Sequence, residues 1–210
     1  MSENRKFSVL MSVYIKENPA FLKEAVESIL HQTLQPSEVV IVEDGPLTPE
    51  LYQVLEELEA QSSIPIKRCP LEQNRGLGLA LKYGVTQCQY DVIARMDTDD
   101  IAVEDRFEQQ FKLMETENLD LLGGHIAEFI DQPDEIVSYR RVPIKHEDII
   151  VYQRMRSAFN HMTVMFKKEM VLKAGNYEDG LYMEDDLLWL NMISAGARTG
   201  NVDQILCKVR

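Results

Sequence analysis

Residues 90–100 read YDVIARMDTDD, a short apolar run that ends in three carboxylates within four residues. The run has the length and the β-branched character of a buried strand. The carboxylates follow the carboxyl end of that strand, which is where open α/β sheets bind ligands. Side chains alternate along an extended segment, so Asp97 and Asp99 should share one side of it. Close anions repel one another, and a hard divalent cation such as Mg²⁺ would relieve that repulsion while keeping coordination sites for phosphates.

The competing interpretation is a solvated acidic loop that caps the next helix. We predict that helix from about Val103 to Glu115, which would place Asp100 in a capping position. Short acidic triplets arise often by chance, and the spacing of a calcium-binding loop is absent. The position at a strand end, after earlier strand–helix units, favours the metal site.

Three further apolar runs precede this stretch, and each is followed by a segment with helical spacing. Strands are predicted at Phe7–Tyr14, Val39–Val42 and Ile64–Cys69, and helices from Pro19, over Thr48–Ala60 with Thr48 as N-cap, and within Asn74–Gln87. A fourth strand is predicted at Tyr90–Met96. This alternation predicts an α/β fold with a Rossmann-like, doubly wound mixed sheet that is mainly parallel in its N-terminal half.

The second half carries fewer signals of parallel strands and predicts a smaller β region. The predicted strands are Leu119–Glu128, its hairpin partner Ile136–Tyr139, His161–Phe166, Ala197–Asn201 and Ile205–Val209. The predicted helices are Asp148–Arg156, Lys167–Ala174 and Glu184–Ala195, with a loop at Gly180–Tyr182.

Composition limits the classes of function. The chain has 210 residues and a net charge of −13, which argues against a nucleic-acid binder or a polybasic membrane surface. Its cysteines, Cys69, Cys88 and Cys207, form neither a zinc spacing nor a disulfide framework, which favours a reducing compartment. The N-terminal stretch is too polar for a signal peptide, and no apolar run approaches membrane-spanning length. We therefore expect a cytoplasmic protein.

Other polar groups lie at predicted strand ends and helix starts. Asp44 closes the second strand and could accept the N–H of a nucleobase, although Asp-Gly is also a common turn signal. The stretch NRGLG at 74–78 places glycines and a cation before a helix, where phosphate could bind. It lacks the third glycine of a dinucleotide fingerprint.

A second acidic cluster, Glu184-Asp185-Asp186, begins a predicted helix. Carboxylates are electrostatically favoured at a helix start, and that is the simple explanation. The sharper hypothesis is a general base that takes a proton from an attacking hydroxyl, with Asp185 free at the mouth of the helix. For His161 we expect a hydrogen-bonded structural role, not that of a catalyst or ligand, and for Trp189 a place in the core, not a sugar-stacking platform.

Taken together, these stretches resemble the family 2 glycosyltransferases of the GT-A fold, from about Phe7 to Arg210. FSVLMSVY is similar to the first strand of the family, SILHQTL to its SIL-Q-T helix end, VIVEDGP to its VVDDGS block and NRGLGLALKYG to its N-x-G-x-x-x-A-x-N-x-G block. MDTDD is similar to the DxDD metal motif, and HMTVMF, AGNY and EDDLLWL to the acceptor half. Glu43, Pro46 and Lys82 depart from these patterns.

The resemblance implies roles for named residues. It implies that Ser12, Asp44, Arg75 and Asp97 contact the nucleotide sugar and that Asp99, with Asp97 and Asp100, holds Mg²⁺ or Mn²⁺. It also implies that Asp185 is the general base, with Glu184 as its neighbour and fallback. Pro46 removes a hydroxyl and an N–H from the usual serine position, so a contact there is not expected.

The resemblance further implies one glycosyltransferase domain over residues 1–210, with a nucleotide-sugar-binding half at 1–100 and an acceptor-binding, catalytic half at 101–210. Further helices frequently follow this core in the family, so truncation at the C-terminus is compatible with it. The implied reaction transfers a sugar from a nucleotide-diphosphate sugar, with UDP-sugar expected, to an acceptor hydroxyl with inversion. The implied acceptor is a saccharide or lipid-linked saccharide of cell-surface polysaccharide or glycolipid synthesis, met at the inner face of the membrane by peripheral contact.

Two other classes of protein share some of these features. A nucleotidyltransferase that makes sugar nucleotides also uses carboxylates and Mg²⁺ on an α/β sheet, but its Gly- and Arg-rich first loop is absent from Met11–Lys16. A non-catalytic nucleotide-sugar-binding module is the third class. The intact Asp97, Asp99 and Asp185 argue against it.

Overall fold

The computed structural model describes residues 5–179 and 183–210. The strands are β1 Ser8–Val13, β2 Glu38–Glu43, β3 Ile66–Pro70, β4 Val92–Arg95, β5 Ile101–Ala102, β6 Leu121–Phe129, β7 Ile136–Arg140, β8 Met165–Lys167 and β9 Thr199–Val209. The helices are α1 Pro19–Leu30, α2 Pro49–Gln61, α3 Leu77–Gln87, α4 Arg106–Glu117, α5 His146–Tyr152, α6 Lys168–Lys173 and α7 Glu184–Ser194. The predicted loop at Gly180–Tyr182 lies outside the described residues.

All the strands of the described residues form one sheet in the order β3-β2-β1-β4-β8-β6-β9-β5, with β7 paired to β6. β1 is parallel to β2 and β4, and β2 is parallel to β3. β8 runs antiparallel to β4 and to β6, whereas β9 is parallel to β6. The predicted mixed sheet with a parallel N-terminal half is therefore confirmed.

Both faces of the sheet are covered, which explains why its central strands read as unbroken apolar runs. Along β1, Val9, Met11 and Val13 pack into one core with α1, α2 and α4, while Leu10 packs into the other with α3 and α7. Each fully buried side chain of this size contributes about 1.5–3 kcal/mol by leaving water. Side chains that alternate along a strand therefore enter both cores, and neither face of the strand is polar.

Side chains set the starts of the first two helices as predicted. Pro19 occupies the first turn of α1, and Asn18 accepts the N–H of Ala20 at 2.9 Å. Thr48 caps α2 by accepting the N–H of Leu51 at 3.3 Å, so the predicted N-cap is confirmed.

In the second half, several predicted elements were wrong in extent, among them the helix predicted at Asp148–Arg156, which spans His146–Tyr152. His161–Thr163 forms a 3₁₀ turn, and only Met165–Lys167 is strand. The two predicted C-terminal strands are one strand, β9, whose register against β6 shifts on either side of His125. The helix predicted from Val103 begins at Arg106, because Ile101–Ala102 first pairs with β9. None of the helices in the described ranges is long and apolar enough to cross a bilayer.

Close packing of α3 on the sheet leads to a first prediction. A Cβ placed on Gly84 would lie 2.4 Å from Leu10 Cδ1 and 2.9 Å from Val42 Cγ2. Alanine favours a helix over glycine by up to about 1 kcal/mol, whereas overpacking costs about 1–3 kcal/mol. We expect Gly84→Ala to lower the free energy of unfolding by about 1–2 kcal/mol in urea denaturation. Lys82→Ala, on the exposed side of α3, should change it by less than about 0.5 kcal/mol, and equal effects of the two variants would contradict this packing.

Candidate active site

A cleft of about 460 Å³ opens at the carboxyl ends of β1, β2 and β4. The chain adds β2 and β3 on one side of β1 and then returns to place β4 on the other side, so the strand order reverses beside β1. Ligands of open α/β sheets bind at such a reversal. The lining residues are Ser12, Tyr14, Glu17, Asp44, Asn74, Gly76, Leu77, Asp97, Thr98 and Asp99. The structure thus brings together four of the predicted site residues, Ser12, Asp44, Asp97 and Asp99.

The acidic stretch after β4 is bent, not extended as the alternation argument assumed. The bend lies at Thr98–Asp99, and it brings one carboxylate oxygen each of Asp97, Asp99 and Asp100 within 4.8 Å of one another. Asp100 is buried and accepts the N–H of Arg210 at 3.3 Å. It does not cap α4, because that helix begins after Asp105. The capping interpretation of Asp100 was therefore wrong.

The pKa values of these carboxyl groups reflect crowding. Burial raises the pKa of Asp100 to about 8, and the charges of Asp97 and Asp99 add to the effect. Burial and the charge of Asp97 also raise the pKa of Asp99. Oxygen donors this close, with excess negative charge, match the ligand preference of Mg²⁺ or Mn²⁺. The side chains of Asp97, Asp99 and Asp100 therefore suit a hard divalent cation.

Glu17 is a fourth carboxylate in the cleft, and sequence reasoning missed it. It lies in the loop after β1, and burial together with the charge of Asp99 raises its pKa to about 7. No signal in the sequence pairs residue 17 with residue 99, because the contact depends on β1 and β4 being neighbours.

The raised pKa of Glu17 predicts how the stability of the metal-free protein depends on pH. Between about pH 4.5 and pH 7 the folded protein holds this proton more firmly than the unfolded chain does, so stability falls as pH rises through that window. Glu17→Gln removes this contribution. In EDTA, we expect the drop in Tm between pH 5 and pH 8 to be smaller in the variant by about 2–4 °C, a value reduced for solvent screening because Glu17 is only half-buried. The control is Glu104→Gln, an exposed carboxyl. Parallel Tm profiles for wild type and Glu17→Gln would refute the effect.

Asp44 anchors the loop that leads into α3. Its carboxylate accepts the backbone N–H of Arg75 at 2.7 Å and of Gly76 at 3.0 Å. Gly45 has a φ of +85°, and a Cβ there would lie 2.5 Å from the backbone nitrogen of Asn74, so only glycine suits this turn. Carboxylate oxygens carry further lone pairs, so Asp44 can hold the loop and still accept a bond from a ligand in the cleft.

The departure at Glu43 has a structural reason. Its buried carboxylate accepts the Nε–H of Arg68 on β3 at 2.6 Å. Glu43 therefore links β2 to β3 through this ion pair and is not among the residues that line the cleft.

The side chain of Arg75 lines a separate depression of about 450 Å³, together with Leu79 and Tyr83. Its backbone N–H serves Asp44, whereas its guanidinium is not among the groups that line the cleft. The expected contact between this side chain and a nucleotide stays a prediction.

The second acidic cluster lies at the start of α7. Glu184 packs against the beginning of α3, since a Cβ on Gly78 would lie 3.3 Å from the Cβ of Glu184. Asp185 accepts the N–H of Asp186 at 2.9 Å, and Asp186 accepts from Gln153 Nε2 at 2.7 Å. Burial raises the pKa of Asp185, which suits a proton acceptor near neutral pH. The cluster thus lies next to the cleft wall formed by Leu77.

Beneath Asp185 lies a buried aromatic group. His161 Nε2 is 3.0 Å from the hydroxyl of Tyr177, and its Nδ1 is 3.8 Å from Asp185 Oδ2. Trp189 is fully buried against both rings, so its expected structural role is confirmed. His161 is partly buried, with 11% of its side chain exposed, and its contact with Asp185 gives it a neighbour that sequence reasoning did not predict.

A second depression, of about 510 Å³, lies between α4 and the start of β9 and contains none of the predicted site residues. The carboxylate-lined cleft at the strand reversal, with a further carboxylate at the start of α7, is therefore the candidate active site. An α/β sheet with such a cleft is typical of nucleotide-binding enzymes, and the clustered carboxylates suit a divalent cation.

Comparison with known proteins identifies the family of the chain. The model of glycosyl transferase family 2 matches residues 8–176, and the chain belongs to this family. An uncharacterized glycosyltransferase of Haemophilus influenzae is 47% identical over 206 residues, which cover 98% of this chain and 76% of that protein. A UDP-Gal:alpha-D-GlcNAc-diphosphoundecaprenol beta-1,3-galactosyltransferase of Escherichia coli is 40% identical over 98% of this chain and 74% of its own length.

Solved structures agree on the fold. The crystal structure of S. aureus TarS 1-349 in complex with UDP-GlcNAc superimposes with a TM-score of 0.78 at 17% identity, over 97% of this chain and 58% of the TarS chain. The chain therefore spans less than two thirds of that structure. The fold is that of the GT-A glycosyltransferases, as the sequence predicted.

Proposed function

We propose that this chain is a metal-dependent glycosyltransferase that transfers a sugar from a UDP-sugar to an acceptor hydroxyl with inversion. The observation that carries the proposal is the carboxylate cluster of Asp97, Asp99 and Asp100 beside the cleft at the strand reversal. Family membership supports the reaction class. The name of the Escherichia coli relative and the ligand of the TarS structure both support uridine diphosphate as the nucleotide.

On the donor side, the cleft residues bind and orient the nucleotide. Asp44 would accept the N–H of the base, Ser12 would lie against the base, and Asp97 would contact the ribose. Asp99, with Asp97 and Asp100, would hold Mg²⁺ or Mn²⁺. The cation would neutralise charge on the diphosphate leaving group.

On the acceptor side, Asp185 would take the proton of the attacking hydroxyl. The hydroxyl oxygen bonds to the anomeric carbon, the bond to the diphosphate oxygen breaks, and the electron pair leaves with the nucleoside diphosphate. The burial that raises the pKa of Asp185 supports this role, because a base is most effective when its pKa lies near the working pH. Glu184 is its neighbour on the first turn of α7 and the alternative base.

For the acceptor we propose a lipid-linked saccharide, as the name of the Escherichia coli relative suggests for that protein. A cytoplasmic protein in peripheral contact with the inner face of the membrane, acting in cell-surface polysaccharide synthesis, is the setting that such an acceptor implies. A nucleotidyltransferase or a non-catalytic binding module is less well supported, because the family match and the carboxylate of Asp185 at the start of α7 both favour sugar transfer.

Thermal shift against UDP, GDP, CDP and dTDP, each with and without Mn²⁺, tests the donor site. A ligand that binds only the folded protein raises Tm by mass action. At a ligand concentration of about 100 times Kd, the free energy of unfolding rises by about 2.7 kcal/mol. We expect a metal-dependent rise with UDP and little with the other three. A rise with another diphosphate would change the donor class. Well-folded protein with no shift for any of them would contradict the proposal.

A further inference from the structure

Arg95, the last residue of β4, has a role that its sequence position did not reveal. Its side chain is only 2% exposed, although it lies two residues before Asp97 in the cleft. The backbone of Arg95 donates to the carbonyl of Val164 at 2.9 Å, which holds β4 against the turn that carries His161. The guanidinium is therefore a buried positive charge that pairs with Asp97, on a strand that also contacts the His161 turn.

The guanidinium uses only part of its bonding capacity. One nitrogen, Nη2, pairs with the carboxylate of Asp97. Within residues 5–179 and 183–210, its Nε and Nη1 are buried and have no hydrogen-bond partner. Leaving buried donors unpaired is unfavourable, because they lose the hydrogen bonds that water gives them in the unfolded chain. A buried arginine with unpaired donors adds little to the stability of the fold, so a functional role is the better explanation for it.

The charge of Arg95 affects the pKa values of His161 and Asp185. Burial lowers the pKa of His161, and Arg95 lowers it further, which keeps the imidazole neutral. For Asp185, Arg95 opposes part of the rise in pKa that burial causes. The titratable groups that face His161 are Arg95 from β4, Tyr177, and Asp185 from α7.

We propose that Arg95 is a positioning residue that joins the two halves of the active site. Its guanidinium binds the carboxylate of Asp97 on the donor side. On the acceptor side its charge adds to burial in keeping His161 a neutral imidazole beside the carboxylate of Asp185. An imidazolium 3.8 Å from Asp185 would form an ion pair with it and make it a poorer base. This inference rests on the proposed function only in naming Asp185 as the base.

Arg95→Met and Arg95→Lys separate charge from shape, because lysine keeps the charge and loses the planar fork. The ring nitrogens of His161 are followed by NMR in a pH titration, with His161→Asn to assign the signal. We expect the midpoint of the His161 titration to move to higher pH in Arg95→Met and to stay near the wild-type position in Arg95→Lys. Arg5→Met, which removes an arginine paired with Glu115 at the surface, is the control and should leave the midpoint unchanged.

Kinetics then connect this shift to transfer. We expect kcat at pH 7 to fall by about 10–100-fold in Arg95→Met, with the acidic limb of the pH profile displaced. Arg95→Lys should recover at least about tenfold of that loss. The NMR titration needs no turnover, so its result remains readable if the protein transfers no sugar.

An unchanged His161 midpoint in folded Arg95→Met would overturn the proposal. So would equal losses of kcat in Arg95→Met and Arg95→Lys without a change in the pH profile, since that pattern marks a merely structural residue. If Arg95→Met does not fold, Arg95→Gln replaces it. Failure of both neutral variants to fold would assign Arg95 to stability and reject the positioning role.

Discussion

Asp185→Asn is expected to reduce kcat for sugar transfer by about 10²–10⁴-fold, the range that a general base contributes. The amide keeps the size of the side chain and can still accept the N–H of Asp186, but it cannot take a proton. Binding of the nucleotide should persist, because Asp185 is not among the residues that line the cleft. Steady-state kinetics with the UDP-sugar, together with the thermal shift of UDP and Mn²⁺, separate these two effects.

The matched control is Asp186→Asn on the same turn of α7. Asparagine retains an oxygen that can accept from Gln153 Nε2, so we expect kcat to fall by less than about tenfold. Glu184→Gln tests the alternative base in the same assay. Near wild-type turnover in Asp185→Asn with a large loss in Glu184→Gln would transfer the role to Glu184. Unchanged turnover in both would remove the general base from α7.

Asp99→Asn is expected to abolish the metal-dependent part of the UDP thermal shift and to lower kcat by about 10²–10³-fold. Asparagine can still offer one oxygen, but the site loses a negative charge that attracts the cation. Removal of metal from the wild type with EDTA should have a similar effect, and Mn²⁺ should restore activity. Isothermal titration with Mn²⁺ measures the affinity directly.

Asp105→Asn controls for the loss of an acidic residue near the same loop. Asp105 precedes α4, makes no side-chain capping bond and does not line the cleft, so metal affinity should not change. Wild-type activity that persists in EDTA would contradict metal dependence. A normal Mn²⁺ affinity in Asp99→Asn would move the cation away from this cluster.

The N-terminal half of the fold was predictable because its strands are buried on both faces. β1, β2 and β4 read as continuous apolar runs, and their helices begin with clear signals such as Asn18-Pro19 and Thr48-Pro49. In the second half the elements were harder to delimit. The turn at His161–Thr163 is apolar enough to resemble a strand, and the register shifts of β9 beside His125 leave no mark in the local pattern.

The sequence by itself determined the residues that carry charge at strand ends, because the end of an apolar run and the start of a helix are local properties. Asp44, Asp97, Asp99 and Asp185 could be selected on that ground. Only the tertiary structure decided which charges meet. Glu17 joins the cleft because β1 lies beside β4. Arg95, paired with Asp97, is buried next to the His161 turn because β8 and that turn pack on β4. Burial and distance between residues far apart in the chain set these pKa values and ion pairs, and neither quantity is written in the order of the residues.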